Sequence, residues 1–333
     1  MNHSLCVIAG DGIGREVVPV AVAVLQRLLP GLNLVEAEAG WDCFQRHGVA
    51  VPEATLQAMQ RCGAGLFGAV SSPSGVVPGY RSAILTLRQR LGLNVNLRPV
   101  RSWPQVSPKA GVDLLILREN SEGLYSGREH WQEEGVAIAE RVISRVACGR
   151  LASMAGEVAA QRQARRITLV HKANVLPLTC GLFRDTCRAG LEAAGWGAQL
   201  DERLVDVAAL QLVAQPEAFD LIVTSNLFGD ILSDLACHWG GGLGLAPSLN
   251  WGNGLALAEP VHGSAPDIVG SGRANPLAAI LSAALLLRHH WQRDDLAQRV
   301  ERAVEGFLRE EWRADLAGET TRVVAHGVLA RLG

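Results

Sequence analysis

Long apolar runs are missing from this chain of 333 residues. None approaches the roughly 20 consecutive apolar residues that a membrane-spanning helix needs, and the amino-terminal residues lack the basic and apolar regions of a secretory signal. We therefore expect a cytoplasmic protein with no membrane partner. The composition, with 48% hydrophobic and 19% charged residues, is that of a globular protein.

Clustered charge of one sign is also missing, and the formal net charge is only −2. Because a nucleic-acid-binding surface concentrates Lys and Arg, nucleic acid is not expected as a partner. The seven cysteines never occur as C-x-x-C. We therefore predict neither a disulfide framework nor a thiolate zinc site, and we interpret the cysteines as small buried hydrophobic residues.

Short apolar or β-branched runs alternate with longer segments of helical period, which predicts an α/β fold. A chain of this length suits two domains. Two stretches rich in chain-breaking residues, 98–108 and 240–247, are predicted domain crossings. Strands are predicted at 5–9, 32–38, 64–70, 112–118, 166–171, 220–225 and 254–259, and helices at 14–29, 52–61, 81–91, 139–162, 177–194, 228–239 and 275–291.

Residues 10–14 read GDGIG between a predicted strand and a predicted helix. This position suggests a dinucleotide-binding turn, but Arg15 breaks the Rossmann spacing G-x-G-x-x-G. A tight turn that needs glycine for its backbone angles explains the segment equally well. Both interpretations stay open at this stage.

Asp230 and Asp234 follow a predicted strand, and their spacing of four places both carboxylates on one helical face. Exposed like charges at this spacing cost only a few tenths of a kcal/mol, so a solvated face is one interpretation. A divalent cation is the better one, because a hard cation binds several oxygen ligands and converts the repulsion into binding.

Arg88, Arg98 and Arg118 lie near the ends of a predicted helix and two predicted strands. Each guanidinium offers a planar fork that grips a carboxylate through two hydrogen bonds. Three of them would suit a polycarboxylate, although three unrelated surface arginines would show the same spacing.

Three further segments concentrate polar residues where active sites of α/β proteins gather, at the carboxyl ends of strands. Segments 118–125 (RENSEGLY) and 171–174 (HKAN) each close a predicted strand, and segment 262–268 (HGSAPDI) is a polar loop. A lysine in such a place can take part in proton transfer. The alternative for the last segment is an ordinary connection.

Taken together, segments 10–14, 118–125, 172–174, 226–234 and 262–268 resemble the decarboxylating β-hydroxyacid dehydrogenases, the isocitrate/isopropylmalate dehydrogenase family. The likeness covers essentially the whole chain in the right order. It implies a two-domain α/β fold distinct from Rossmann. Residues 1–98 and 245–333 would form a discontinuous cofactor-binding domain, and residues 99–244 would form a central domain with the metal ligands and the dimer interface.

The resemblance also implies roles for individual residues. Tyr125 and Lys172 would transfer protons, and the metal ligands for Mg²⁺ or Mn²⁺ would be Asp206, Asp230 and Asp234. The substrate would contact Ser82, Arg88, Arg98, Arg118, Tyr125, Lys172 and Asn174. Lys172, Asn174 and Asp206 would enter the site from the partner subunit of a homodimer, which could pair into a tetramer.

The cofactor implied by the resemblance is NAD. An acid at Asp267 accepts hydrogen bonds from ribose hydroxyls and repels the 2′-phosphate of NADP, and NADP-using relatives place Lys and Tyr at positions 267 and 268. The predicted cofactor residues are Ile13, Ser72, Asn174, His262, Gly263, Ser264, Ala265, Pro266, Asp267, Ile268 and Asn275.

Segments 35–41, 77–80 and 118–125 are most similar to homoisocitrate dehydrogenases. Isopropylmalate enzymes usually read ELTGG where residues 119–123 read ENSEG, and tartrate or D-malate enzymes tend to carry Glu in place of Leu124. The resemblance therefore favours oxidation of homoisocitrate to 2-oxoadipate and CO₂.

Three positions depart from the expected patterns. Some bacterial homoisocitrate enzymes carry Arg in place of Leu85, so Ser82 is the predicted contact for the distal carboxylate. Isocitrate enzymes carry Asn in place of Ile84, and Asn94 replaces an aromatic residue. The ranking is homoisocitrate, then isocitrate, then an unusual malate derivative, and 3-isopropylmalate, tartrate and D-malate are kept as alternatives.

Two other classes compete with this interpretation. A non-catalytic regulatory subunit is disfavoured because the expected site residues are intact. A metal-free Rossmann hydroxyacid dehydrogenase is disfavoured by the failed glycine spacing.

Overall fold

The computed structural model describes residues 3–313 and 320–333. The strands are β1 (Ser4–Gly10), β2 (Asn33–Glu36), β3 (Ala64–Ala69), β4 (Val95–Arg101), β5 (Asp113–Glu119), β6 (Glu129–Glu133), β7 (Val136–Ala139), β8 (Ile167–His171), β9 (Leu200–Leu204), β10 (Leu221–Thr224), β11 (Pro247–Gly252) and β12 (Leu255–Pro260). The α-helices are α1 (Gly14–Leu28), α2 (Trp41–His47), α3 (Glu53–Cys62), α4 (Ala83–Leu91), α5 (Arg145–Arg162), α6 (Thr179–Ala193), α7 (Val205–Ala214), α8 (Asn226–Cys237), α9 (Leu277–Leu285), α10 (Asp294–Glu310) and α11 (Thr320–Ala330).

The described residues form two compact units. The first comprises 3–93, 102–110, 240–313 and 320–333, and the second comprises 94–101 and 111–239. Segment 102–110 therefore belongs to the first unit, although it lies within the predicted central range.

The first unit contains a sheet in the order β2-β1-β3-β12-β11. Its neighbouring strands are parallel except for the antiparallel pair β11 and β12. Helices α3 and α4 cover the strands through a buried cluster that includes Ile8, Leu56, Met59, Phe67 and Leu87. The apolar periodicity of these helices explains why they pack there.

The second unit contains a sheet in the order β4-β5-β10-β8-β9, parallel apart from β4 and β5. Its buried cluster includes Ile116, Val170, Leu212, Ile222 and Leu232. Strands β6 and β7 form a separate exposed hairpin. Because β5, β8 and β10 are parallel, their carboxyl ends meet at one edge, where ligands bind in open α/β sheets.

All seven predicted strands coincide with observed strands, and the seven predicted helices overlap α1, α3, α4, α5, α6, α8 and α9. The prediction of a helix from residue 139 was wrong at its start, since α5 begins at Arg145 and residues 136–139 form β7. The predicted breaker zone at Arg98 and Pro99 instead lies in β4, which pairs with β5 through this proline.

Among the helices that the structure describes, none combines the length and apolar character needed to cross a membrane.

The GDGIG segment is a tight turn between β1 and α1. Gly10 and Gly12 have φ values of +72° and +54°, which L residues with a side chain rarely adopt. A Cβ on Gly10 would lie 2.0 Å from the carbonyl oxygen of Ala69, the atom that accepts a hydrogen bond from the Asp11 amide at 2.8 Å. The predicted need for glycine is therefore confirmed.

Gly10→Ala should destabilise the protein more than Gly48→Ala, a matched control with φ of +71° and open space around its Cβ position. Both substitutions cost about 1 kcal/mol of left-handed backbone strain, but only Gly10→Ala adds the steric overlap, for a further 1–3 kcal/mol on the order of other overpacked sites. Urea unfolding of the two variants measures the difference. Equal losses would contradict the close packing of Gly10 against β3.

Candidate active site

Arg118 lies at the carboxyl end of β5 and is almost completely buried. Its Nε and Nη2 donate to Oδ1 of Asn226 at 2.9 and 2.7 Å, and its Nη1 donates to Asp230. A buried guanidinium needs such a counter-charge, since an unpaired one is costly to desolvate. Asn226 begins α8 and also donates to the backbone oxygen of Glu122, so it fixes the arginine and the 118–125 loop together.

Asp230 and Asp234 lie one turn apart on α8, as predicted. Arg98, buried on β4, reaches both of them, with Nη1 3.3 Å from an Asp230 oxygen and 3.2 Å from an Asp234 oxygen. Burial raises the pKa of Asp234, Arg98 opposes this shift, and the Asp230 charge adds to it. Two buried guanidinium groups thus compensate the like charges of the pair.

Arg98 is held by two partners that the sequence analysis did not single out. Its Nε donates to Oδ1 of Asn96 at 2.8 Å, and its Nη1 donates to Oγ of Ser233 at 2.7 Å. Asn96 is two residues away on the same face of β4, a local spacing that could have revealed it. Ser233 comes from α8, so its role depends on how the helix packs on the sheet.

Tyr125 completes this group from the turn Leu124–Ser126. Its hydroxyl donates to Asp230, and the Arg118 guanidinium lies 5.0 Å from the centre of its ring. Burial raises the pKa of Tyr125, and the hydrogen bond to the Asp230 carboxylate raises it further. The phenol is therefore protonated at neutral pH and can serve as a proton donor.

Lys172 and Asp206 form a second polar group in the same unit. The Lys172 ammonium donates to the Asp206 carboxylate at the start of α7, and this lowers the pKa of Asp206. Buried His171 precedes Lys172, and its Nδ1 accepts the Ala173 amide at 3.2 Å while Nε2 lies 3.4 Å from Glu202. The histidine thereby orders the turn that carries Lys172.

The carboxylate chemistry of the predicted metal ligands fits a hard divalent cation, which prefers oxygen. Asp230 and Asp234 share one helical face, with side-chain exposures of 30% and 56%. Among the described residues of a single chain, Asp206 does not complete a group of three carboxylates with oxygens within 4.8 Å of one another. Two ligands are therefore brought together within the chain, and the third is not.

Arg88 and Ser82 belong to the first unit, on and just before α4. Arg88 is buried, and its Nη2 and Nε donate to Glu259 at 2.8 Å and to Asn250 at 2.9 Å. The backbone oxygen of Ser82 accepts the Thr86 amide at 2.9 Å and thereby begins the helix. Of the predicted clamp, only Arg98 and Arg118 share a unit with the aspartate pair.

The predicted cofactor loop, residues 262–268, is joined to the GDGIG turn. The Ile13 amide donates to the Ser264 backbone oxygen at 3.0 Å, and the hydroxyl groups of Ser71 and Ser264 lie 2.8 Å apart. Ala265 has a φ of +41°, a left-handed conformation that bends the loop. These contacts place two segments of the predicted cofactor site against each other.

His262, in the same loop, has a ring nitrogen that could form a hydrogen bond with a ligand. Its Nδ1 lies 3.0 Å from the Gly263 oxygen, whereas its buried Nε2 has no hydrogen-bond partner among the described residues. Burial lowers the pKa of His262, so the ring is neutral and Nε2 can accept a hydrogen bond. A buried polar nitrogen of this kind fits a nucleotide ligand.

The remaining predicted cofactor residues are spread along the loop and its neighbours. The side-chain oxygen of Asn275 accepts the amide of Leu277, the first residue of α9, at 3.1 Å. The positions open to solvent are Ser72, Asn174, Gly263, Pro266 and Asp267, whereas Ile268 is half-buried. Asn174 belongs to the second unit and the others to the first.

Two acidic residues outside the predicted set organise this region. Buried Asp11 accepts the backbone amides of Trp41, Asp42 and Ser71 at 2.7, 3.0 and 2.9 Å. Glu16 accepts the Gly270 amide at 2.8 Å and ties the end of the loop to α1. Only the position of Asp11 inside the glycine turn gave a sequence signal for such a role.

The chain is similar in sequence and in fold to known dehydrogenases. A family model described as isocitrate/isopropylmalate dehydrogenase matches residues 4–329. The isocitrate/homoisocitrate dehydrogenase of Thermus thermophilus is 50% identical over 96% of both chains, and the homoisocitrate dehydrogenase of Methanocaldococcus jannaschii is 44% identical over 85% of this chain and 84% of that protein. The crystal structure of isocitrate dehydrogenase from Methylococcus capsulatus is 38% identical, covers 99% of both chains and has a TM-score of 0.91.

These matches confirm the predicted fold class, the α/β fold of these dehydrogenases rather than a Rossmann fold. Because the family model and the relatives cover nearly all of the sequence, this chain belongs to the isocitrate/isopropylmalate dehydrogenase family.

Proposed function

We propose that this protein catalyses the NAD-dependent, divalent-metal-dependent oxidative decarboxylation of a 3-carboxy-2-hydroxy acid. The observation that carries the proposal is the group formed by Arg98, Arg118, Tyr125, Asp230 and Asp234. It combines two arginine guanidinium groups, a protonated phenol and two carboxylates near the carboxyl ends of the parallel strands of one sheet. The family membership of the chain agrees with this chemistry.

The charges of this group suit an acidic substrate together with a cation. The guanidinium groups of Arg98 and Arg118 would exchange their hydrogen bonds to the aspartates for hydrogen bonds to substrate carboxylates. Asp230 and Asp234 would then hold Mg²⁺ or Mn²⁺, with Asp206 as the third ligand. When bound, the cation would act as a Lewis acid on substrate oxygens, and NAD would accept the hydride. Arg88 and Ser82 are proposed as further substrate contacts.

Two residues of the chain would move protons. Lys172, in its neutral amine form, would accept the proton of the 2-hydroxyl group as C2 is oxidised to a ketone and the hydride passes to NAD. The bond between C3 and its carboxylate then breaks, CO₂ leaves, and Tyr125 would donate a proton to C3 to give the 2-oxo acid. The raised pKa of Tyr125 supports its assignment as the acid.

Exposed apolar side chains support a homodimer with shared sites. Leu178, Leu210 and Ile231 are 84%, 69% and 57% exposed. They lie near Lys172, Asp206 and Asp230 in the chain, and large exposed apolar groups mark interaction surfaces. We infer that a second copy covers these side chains and supplies Lys172, Asn174 and Asp206 to the neighbouring site. This inference is supported by Asp206, which does not join Asp230 and Asp234 in a group of three ligands among the described residues of one chain.

NAD is proposed in preference to NADP because exposed Asp267 lies in the 262–268 loop. A carboxylate there accepts hydrogen bonds from ribose hydroxyls and repels a 2′-phosphate. The partnerless Nε2 of His262 would supply an acceptor for the same ligand.

Homoisocitrate is the proposed substrate, with 2-oxoadipate and CO₂ as products. The relatives named for homoisocitrate support this choice. Isocitrate is the second candidate, because the Thermus thermophilus relative is named for both acids. Half-buried Leu85 provides no charge for the distal carboxylate, so Ser82 is the proposed contact there.

The test is NADH formation by the purified chain with Mg²⁺ or Mn²⁺, across homoisocitrate, isocitrate, 3-isopropylmalate, D-malate and tartrate. We expect the highest kcat/KM with homoisocitrate, one CO₂ per NADH, a clear preference over NADP and complete loss of activity in EDTA. Turnover that survives EDTA would support the metal-free class instead. Absence of turnover with every acid would support a regulatory subunit.

A further inference from the structure

A second group of potential metal ligands lies in the first unit, at α2 and the segment before it. Glu38, Cys43 and His47 each contribute one ligand atom, and the three atoms lie within 4.8 Å of one another. The Glu38 Oε2 to His47 Nε2 distance is 3.3 Å. No other group of three such ligands occurs among residues 3–313 and 320–333.

Local geometry brings the three side chains together. Cys43 and His47 are four residues apart and therefore share one face of α2. Glu38 faces them from the connection after β2, where its backbone oxygen accepts the Thr55 hydroxyl at 2.7 Å. The start of α2 is fixed by the Asp11 carboxylate, which accepts two of its amides. The ligands are thus carried by a restrained backbone.

The chemistry of this group differs from that of the aspartate pair. A thiolate, an imidazole and a carboxylate are the donors that Zn²⁺ and similar transition metals prefer, whereas Mg²⁺ prefers oxygen alone. In a tetrahedron with bonds of about 2.1 Å, neighbouring ligand atoms are roughly 3.4 Å apart. Glu38 and His47 are hydrogen-bonded to each other at 3.3 Å, a distance close to that spacing, so a bound ion would take the place of this hydrogen bond with little movement of either side chain.

Two of the three ligands, Cys43 and Glu38, interact with other groups in the structure. Cys43 is buried, and this burial, reinforced by the nearby Glu38 charge, raises the pKa of its thiol. Arg46 donates to Glu38 Oε1 at 3.2 Å and lowers the pKa of that carboxyl. A bound metal ion would replace the thiol proton and compete with Arg46 for Glu38.

We propose that Glu38, Cys43 and His47 form a binding site for a thiolate-preferring divalent transition metal of the zinc type. Three protein ligands leave one position of a tetrahedral ion for water. Because the ligands come from α2 and the segment preceding it, occupancy joins the two and stabilises the folded unit.

Cobalt substitution tests the site, because Co²⁺ bound by a thiolate gives a near-ultraviolet charge-transfer band. We expect this band in the intact protein and its loss in Cys43→Ser. The matched control is Cys62→Ser, a half-buried cysteine on α3 of the same unit, which should keep the band. Cobalt on the aspartate pair cannot produce it, since Asp230 and Asp234 offer only oxygen.

Substitution of a ligand and substitution of Arg46, which competes with the metal for Glu38, should change the metal affinity in opposite directions. Titration of the band should show at least tenfold weaker binding in His47→Asn and Glu38→Gln, and tighter binding in Arg46→Gln because the competing cation is gone. Zinc should displace the band, whereas excess Mg²⁺ should leave it. Absence of the band in the folded intact protein, its persistence in Cys43→Ser, or equal affinity in all three other variants would overturn the proposal.

Discussion

Replacing Asp230 with asparagine is expected to lower turnover by about a thousandfold or more. The substitution keeps the shape of the side chain but removes a charge that would hold the divalent cation, whose Lewis-acid contribution is several kcal/mol, and about 1.4 kcal/mol corresponds to a factor of ten in rate. Asp230 is also the hydrogen-bond partner of Tyr125 and Arg118, so both lose a charged acceptor. Steady-state rates across a range of Mg²⁺ concentrations measure the effect.

The matched control is Asp113→Asn, at the opposite end of the strand that carries Arg118. Asp113 is 66% exposed and pairs with Arg162, so its loss should leave turnover within about twofold, as exposed ion pairs contribute little. Circular dichroism should show that both variants fold, because Arg118 retains its two hydrogen bonds to Asn226. Near-normal turnover of Asp230→Asn at low Mg²⁺ would refute the proposed metal site.

Lys172→Ala is expected to lower kcat by roughly 100- to 10,000-fold, the usual contribution of a positioned proton-transfer group. Asp206, the partner of Lys172, is exposed at the start of α7. Its carboxylate can be hydrated after the lysine is removed, so the variant should fold normally. Initial rates with saturating substrate and NAD measure the loss.

The chain contains only one other lysine, Lys109, which makes Lys109→Ala a natural control. This control should retain full turnover. Small primary amines added to Lys172→Ala should restore part of its activity, because they can replace the missing proton acceptor, whereas a purely structural role would not respond to them. Turnover of Lys172→Ala close to that of the control would remove Lys172 from the proposed mechanism.

Features that depend on short-range sequence were predictable. All seven predicted strands are present because apolar alternation and length are local properties. The GDGIG turn was predictable for the same reason, since the need for glycine at positive φ arises within a few bonds. The family resemblance added the fold class, which no single motif specified.

Features that depend on distant contacts were missed or misplaced. Arg98 and Pro99, in a stretch rich in chain-breaking residues, gave no sign of a strand, yet both lie in β4 because β5 pairs with it. The exposed hairpin of β6 and β7 lacks the alternation of apolar and polar residues that indicates a strand, and the predicted helix from residue 139 overlapped its end. Helices α2, α7, α10 and α11 were not predicted, although α10 has a strong amphipathic pattern.

Cysteine spacing gave no sign of the Glu38, Cys43 and His47 group. The sequence contains no C-x-x-C pair, whereas the group uses one cysteine, a histidine four residues later and a glutamate from outside the helix. Only the approach of the segment after β2 to α2 brings the third ligand into range.

The sequence by itself determined that Asp230 and Asp234 share a helical face, because a separation of four residues is a property of any helix. It also showed that arginines, a tyrosine and a lysine follow strand ends. Only the tertiary structure decided that Arg98 and Arg118 neutralise the pair and that Asp206 pairs with Lys172 instead. The physical reason is that such partners are far apart in the chain, so packing of the strands and helices, rather than local geometry, sets the distances between their charges.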